Sequence, residues 1–191
     1  MGKLAQSQEI LKSLGLPNAQ QSDASAYVLL ALAGLEEATS WEFSRKCLLR
    51  IHDIKNFINH HFGQNYAENT RESFRKHVLR QFVQGAIADK NPDDPARSVT
   101  SGLTCYSLTD EALEVVRAYG KPDFETLVAA FVTAKGSLAH RYAAVRAKHL
   151  IAVKLPSGLE LTLSAGDHNQ LQAQIILRAG SQTIVCGGHG K

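Results

Sequence analysis

A succession of helical patterns that ends in a strand pattern constrains this fold more than any other feature of the chain. Apolar residues recur at helical spacing from Ile51 to Ile58 and again from Phe74 to Phe82. A short turn after Gly63 separates these two helices. The segments 86–90 and 103–108 then have the composition of strands, joined by a loop that is rich in proline and aspartate. Helix, turn, helix and hairpin in this order are typical of a winged helix-turn-helix.

Further patterns extend this order on both sides. An apolar helix capped by Ser22 and ended by Gly34 precedes it, and a helix capped by Thr109 follows it. We also predict helices over 124–134 and 137–149, a hairpin over 151–163 and a helix over 164–177. The predicted core of the winged helix comprises Tyr27, Leu29, Leu30, Phe57, Phe74, Val78, Phe82 and Leu113.

The fold class that follows is mainly α, within the α+β class. We predict a winged helix-turn-helix, then linker helices, then a short α/β segment. The predicted domains are an amino-terminal arm over residues 1–21, a winged-helix domain over 22–120, linker helices over 121–150 and the α/β segment over 151–191.

The distribution of charge favours a polyanionic partner. The net charge of the 191 residues is only +3. However, residues 45–80 contain eight basic and three acidic side chains, and residues 126–159 contain five basic and no acidic ones. Each window therefore carries a charge of +5, which is typical of a protein that binds nucleic acid.

Other function classes lack their usual signals. No apolar run is long enough to span a membrane. The three cysteines, Cys47, Cys105 and Cys186, lie far apart, which favours reduced thiols in a cytoplasmic protein. His60 and His61 are adjacent and cannot chelate a metal as an i, i+4 pair can, and Asp167 before His168 is typical of a helix cap. We therefore predict no catalytic residue and no metal site.

The helix from about Asn69 to Gln84 is the strongest candidate for contact with DNA. Asn69, Ser73, Lys76 and Arg80 follow one another at α-helical spacing, which predicts a single polar stripe opposite the buried face. Asn69 and Ser73 lie near the amino end, which contacts base edges in helix-turn-helix proteins. Lys76 and Arg80 are suited to phosphates.

Three arginines complete the candidate set. Arg71 and Arg75 flank the buried face of this helix, so their guanidinium groups can reach a phosphate. The competing hypothesis is that they only support the fold, through Glu68, Glu72 or Asp53. Arg97, in the loop of the hairpin, is a candidate for the minor groove, whereas the neighbouring acidic residues favour a plain surface loop for the rest of that segment.

Several segments together resemble the BsuBI/PstI restriction endonuclease family. The run from Asn69 through Thr70 to Lys76, continuing to Phe82, resembles its recognition-helix region and implies that Thr70 belongs to the DNA-binding residues. The resemblance covers about residues 14–177. Its other blocks are Leu16-Pro17, Leu29 to Leu32, Asn91 to Asp93, Gly136 to Ala139, Arg141-Tyr142 and Leu163 to Asn169.

This resemblance implies a type II endonuclease that cuts duplex DNA at a palindrome such as CTGCAG, with magnesium held by the PD-(D/E)xK carboxylates. A palindrome is compatible with a homodimer. Where the family has an apolar strand and Gly-Asp-Thr, this chain has Val185 to His189. We therefore expect residues 151–191 to be the truncated start of a nuclease-like domain. We also expect this chain to bind DNA without cutting it and without a cofactor of its own.

Two alternatives stay open. A stand-alone winged-helix transcription regulator or restriction-modification control protein would have the same helices and hairpin but would differ after residue 150. A protein-interaction module would use its helices to bind a partner subunit, and polyanions would then compete poorly.

Overall fold

The computed structural model describes residues 2–98, 101–135, 150–154 and 160–164. The chain divides into two compact units, Met1–His140 and Arg141–Lys191. The finer division into an arm, a winged helix and linker helices stays a prediction.

The described helices and strands follow the predicted order. The helices are α1 Lys3–Ser13, α2 Asp23–Ala33, α3 Ile51–Phe62, α4 over residues 70–84, α5 Asp110–Arg117 and α6 Phe124–Lys135. The strands are β1 Leu49–Arg50, β2 Ala88–Lys90, β3 Cys105–Leu108, β4 Leu150–Lys154 and β5 Glu160–Ser164. The first unit is thus a mainly helical α+β fold, as predicted.

Helix α2 is the central helix of the first unit. Its run from Val28 to Ala33 is fully buried, which explains why it is apolar on every side. The Ser22 hydroxyl accepts a hydrogen bond from the Ser25 amide at 3.3 Å and caps the helix, as predicted. Helix α1 packs on α2, and the Ser7 hydroxyl donates to the Ala26 carbonyl at 3.0 Å.

The turn between α3 and α4 is held by side chains. Helix α3 ends at Gly63, which has a φ of 61°, in the left-handed region that favours glycine. The Asn59 side chain then donates to the Tyr66 carbonyl at 3.0 Å and accepts from the Tyr66 amide at 2.9 Å. These contacts fix the direction in which the chain enters α4.

Helix α4 differs from a regular α-helix in its middle. An α-helical turn, Thr70–Ser73, and an α-helical segment, Arg80–Gln84, flank a π-helical segment, Phe74–Leu79. Phe74 and Phe82 are 1% and 0% exposed, so the prediction that both belong to the core is confirmed. The apolar pattern of this helix also predicts that Leu79 and Val83 lie on its buried side; this is confirmed for Leu79 and wrong for Val83, which is exposed.

The three-stranded sheet has the order β1-β3-β2, with antiparallel pairing throughout. The predicted hairpin is confirmed as β2 and β3, paired from Ala88 with Leu108 to Lys90 with Tyr106. β1 was not predicted, since two residues show no periodicity. It pairs Leu49 with Tyr106 and so extends the hairpin on its other side.

The predicted core is largely confirmed. Leu29, Leu30, Val78 and Leu113 are buried together with the two phenylalanines of α4. Tyr27 and Phe57 are only half-buried, contrary to the prediction. Their ring centroids lie 5.2 and 6.3 Å from that of Phe62, which is itself half-buried at the carboxyl end of α3, so the three rings pack at the edge of the core.

The second unit is described only at its hairpin. β4 and β5 pair antiparallel from Leu150 with Ser164 to Lys154 with Glu160, which confirms the predicted hairpin. The predicted helix over 137–149 lies outside the described residues. So does the helix predicted over 164–177, apart from Ser164, which belongs to β5 and not to a helix. Within the described ranges, no helix has the length and apolar character needed to cross a membrane.

Candidate nucleic-acid interface

A basic cleft of about 420 Å³ lies between α4, the start of α3 and the hairpin. Tyr106 is on the central strand β3, where it pairs with Leu49 on one side and Lys90 on the other, and it lines the cleft. The cationic lining residues come from three elements of the fold, β1, α4 and β2, and comprise Arg50, Arg71, Arg75 and Lys90. The fold thus gathers positive charge that is dispersed in sequence.

A second cleft, of about 330 Å³, lies further along α4. Arg75, Lys90 and Tyr106 line it as they line the first cleft. Lys76, Arg80, Gln84 and Val83 complete its wall. Val83 is 37% exposed because it faces this cleft, and not the core that Phe82 fills. The cleft therefore combines cations with an apolar side chain.

The π-helical segment divides the predicted stripe. Asn69, Ser73, Lys76 and Arg80 are all exposed, as their spacing predicts. A π turn holds about one residue more than an α turn, so side chains beyond it are rotated by roughly 100° from their α-helical positions. Lys76, within the π-helical segment, and Arg80, directly after it, line the second cleft, whereas Asn69 and Ser73 line neither of the two clefts. Thr70 is half-buried beside them.

Glu68 binds several cations at the start of α4. Its carboxylate accepts from Lys55 at 2.6 Å and from Arg71, and the His52 ring lies 3.6 Å away. Hydrogen bonds from Lys55 and Arg71 lower the pKa of Glu68 to about 2. The Lys55 side chain is only 11% exposed, so this group of charges is anchored to α3.

Glu72 binds two cations one turn later. It accepts from Arg75 Nε at 2.9 Å and from Arg75 Nη2 at 2.6 Å, and Lys76 Nζ is 3.1 Å away. These contacts lower the pKa of Glu72 to about 2, with the Arg75 hydrogen bond as the largest cause. The pairs of Arg71 with Glu68 and Arg75 with Glu72 are those of the competing hypothesis, whereas Asp53 pairs with Arg50.

The Arg97 side chain binds to other residues of the hairpin loop. Its side chain is 14% exposed and binds Asp93 at 2.6 Å, while it also donates to the Leu103 carbonyl at 2.9 Å. The buried Cys105 thiol lies 3.2 Å from the same guanidinium, and burial raises the pKa of that thiol. Arg97 therefore supports the loop in this structure, and its contact with a minor groove stays a prediction.

The structure adds residues that the sequence patterns did not single out. Arg50 and His52 reach the first cleft because β1 pairs with β3 and brings the start of α3 alongside the hairpin. Lys90 lines both clefts, because the register of the hairpin places it opposite Tyr106. The basic character of residues 45–80 was the one sequence signal that included Arg50.

Side chains that could bind a metal are not clustered in the described part of the chain. No group of three or more His, Cys, Asp or Glu side chains within them is arranged to hold a metal ion. The rings of His60 and His61 are 4.7 Å apart at right angles, and His61 lies 3.2 Å from Glu36. Asp167 and His168 lie outside the described residues.

Comparison with known proteins gives consistent matches. Residues 1–140 match the family model of the BsuBI/PstI restriction endonuclease HTH domain. The chain is 35% identical over 168 residues to the type II restriction enzyme BsuBI of Bacillus subtilis, which covers 88% of this chain and 53% of that enzyme. It is 27% identical over 173 residues to the type II restriction enzyme AplI of Arthrospira platensis, which covers 91% and 53% respectively.

A solved structure, that of SdaI restriction endonuclease, matches with a TM-score of 0.67 and 34% sequence identity. The match covers 90% of this chain and 54% of that one. The chain thus spans about half the length of the relatives that it matches.

Proposed function

We propose, from the premise that this chain belongs to the BsuBI/PstI restriction endonuclease family, that it binds duplex DNA in a sequence-specific manner through α4 and the two clefts beside it. The observation that carries this proposal is the convergence of Arg75 and Lys90 with Arg50, Arg71 and Arg80 around the clefts. A duplex offers regularly spaced phosphates to such a surface.

The proposed interface makes two kinds of contact with DNA, one with phosphates and one with bases. Arg71, Arg75, Lys76 and Arg80 bind phosphates, because they are exposed cations beside the clefts. Asn69 and Ser73, at the amino end of α4, contact base edges in the major groove, and Thr70 supports them there. By resemblance to its family, the preferred site is similar to CTGCAG.

Binding measurements with labelled duplexes test this proposal. Arg80 makes no ion pair within the described part of the chain, so Arg80→Ala should weaken binding to every sequence and reduce the salt slope by about one unit. Asn69→Ala should relax sequence preference and cost about 1–3 kcal/mol on the preferred site. Lys12→Ala, an exposed cation on α1, is the matched control.

Three outcomes count against parts of this proposal. If neither variant changes affinity or preference, α4 is not the recognition helix. If heparin does not compete with the duplex, the alternative of a protein-interaction module is favoured. If wild-type and Asn69→Ala proteins both bind with no preference, the interface is not sequence-specific.

Cleavage and assembly are separate proposals. That this chain binds without cutting stays a prediction, and incubation of a CTGCAG plasmid with the purified chain and magnesium tests it. Homodimer formation on a palindrome is tested by the stoichiometry of the complex with one duplex, for example by analytical ultracentrifugation. A stand-alone regulator would give the same binding data, and a matching methyltransferase gene nearby would favour the restriction function.

A further inference from the structure

Glu72 is an acidic residue inside a basic surface. It lines the first cleft together with Arg50, Arg71 and Lys90. Its carboxylate also binds Arg75, which lines both clefts. A surface that only attracts phosphates is expected to have no carboxylate at this position, because the carboxylate repels the phosphates that the surrounding cations attract.

The charges around Glu72 differ from those around Glu68. Glu68 binds Lys55, whose side chain is 11% exposed, and therefore helps to hold α4 on α3. Glu72, Arg75 and Lys76 are each more than half exposed, at 52%, 54% and 58%. Exposed pairs of this kind are weak and exchange their partners readily. The contacts of Glu72 are thus suited to being broken when another anion approaches.

We propose that Glu72 is a specificity-determining residue, whose carboxylate neutralises Arg75 and Lys76 in the unbound protein and accepts a hydrogen bond from a cytosine amino group in the specific complex. The proposal rests on the function proposed above. When DNA phosphates bind Arg75 and Lys76, the Glu72 carboxylate loses its two ion-pair partners. Cytosine N4 is a donor in the major groove to which Glu is suited.

The consequence is a difference between correct and incorrect DNA. On a duplex without a cytosine at the right position, the freed carboxylate lies near phosphates with no donor, and binding is penalised. On the correct site, the hydrogen bond to the base offsets this penalty. Glu72 therefore increases specificity by weakening unspecific binding more than specific binding.

Selection from a randomised duplex library, followed by affinity measurement, tests this proposal with Glu72→Gln. Glutamine keeps the size of the side chain and removes its charge. We expect affinity for random-sequence DNA to rise by about threefold to tenfold, since two exposed ion pairs are released. We expect affinity for the selected site to rise less or to fall, and the enriched sequences to tolerate other bases at one cytosine position.

Glu111→Gln is the matched control, because Glu111 also binds one cation, Lys135, at 2.8 Å on an exposed surface away from both clefts. It makes the same change of net charge and should leave the enriched sequences unchanged.

Each other outcome overturns the proposal. If the affinity of Glu72→Gln rises equally for random-sequence DNA and for the selected site, the Glu72 carboxylate only repels phosphates and does not contribute to specificity. If its affinity for random-sequence DNA does not change, the ion pairs of Glu72 have only a structural role. In both cases the wild-type protein still selects a site, so the proposed function stands. If the wild-type protein selects no sequence, the proposed function fails and this proposal fails with it.

Discussion

Asn59 binds the backbone of Tyr66 in both directions, at 3.0 Å through its amide group and at 2.9 Å through its carbonyl oxygen. This pair closes the turn between α3 and α4 and so sets the direction of the candidate recognition helix.

Asn59→Ala should therefore destabilise the protein by about 1–3 kcal/mol, since it leaves two polar groups of a half-buried backbone without partners. Urea denaturation measures this change. Asn56→Ala is the control, because Asn56 is exposed on the same helix and bonds only to His52 among the described contacts; its effect should stay within about 0.5 kcal/mol. Equal effects of the two variants would contradict a structural role for Asn59.

Two helix-ending glycines make a matched pair. Gly34 and Gly63 have φ values of 64° and 61°, so alanine at either position costs about 1–2 kcal/mol. A Cβ at Gly34 would also lie 2.7 Å from the Cys47 sulfur, whereas a Cβ at Gly63 meets nothing within 4 Å. We expect Gly34→Ala to lower the free energy of unfolding by clearly more than Gly63→Ala. Equal losses would show that the side chains of Cys47 and Arg45, which is 2.8 Å from the same Cβ position, both move away freely.

The helix ends could be predicted because their causes are local. Glycine at Gly34 and Gly63, and a hydroxyl at Ser22, determine the backbone of the next few residues without help from the rest of the chain. Strand β1 has no such cause. Leu49 and Arg50 are extended because β3 passes beside them, and this neighbour is more than fifty positions away in sequence.

The candidate site was predictable to a similar degree. Helical spacing was sufficient to predict that Lys76 and Arg80 are exposed. It could not predict the π-helical segment that begins directly after Ser73 and contains Lys76, because a single apolar pattern does not distinguish an α turn from a π turn. Nor could it predict Lys90, whose position depends on the register of the hairpin.

Adjacent residues on α4 should respond very differently to truncation. Phe82 is fully buried, and Phe82→Ala should destabilise the protein by about 3–5 kcal/mol through the cavity that it leaves. Val83 faces the second cleft, so Val83→Ala should change the free energy of unfolding by less than about 1 kcal/mol. Chemical denaturation of both variants measures the contrast, and a large loss for Val83→Ala would show that it packs in the core after all.

Tyr119 should make the protein sensitive to alkaline pH. Burial, followed by the hydrogen bond to Glu9 and the charge of Glu9, raises the pKa of Tyr119 to about 12. An unfolded tyrosine ionises near pH 10. The contribution of the neutral Tyr119 phenol to the free energy of unfolding is therefore fully present below about pH 10 and is lost as pH rises through about 12.

Ultraviolet titration of the wild-type protein against Tyr119→Phe isolates this phenol from the other tyrosines. Glu9→Gln should move its midpoint part of the way back, because the charge is removed and the burial remains. A midpoint that is the same in wild-type and Glu9→Gln proteins would mean that Glu9 has no influence on Tyr119.

Substitution of Arg75 should affect DNA binding and stability to different degrees. Its ion pair with Glu72 is more than half exposed on both sides, so Arg75→Ala should cost little stability and lower Tm by only a few degrees. If Arg75 binds a phosphate, the same change should weaken binding to all duplexes and reduce the salt slope by about one unit. Arg117→Ala is the comparison variant with an expected structural effect. The Arg117 side chain donates to the backbone carbonyl of the buried Ser44 at 2.8 Å and so links segments 73 positions apart in sequence. This variant should lower Tm more and leave the salt slope unchanged. If Arg75→Ala behaves like Arg117→Ala, Arg75 supports the fold and does not contact DNA.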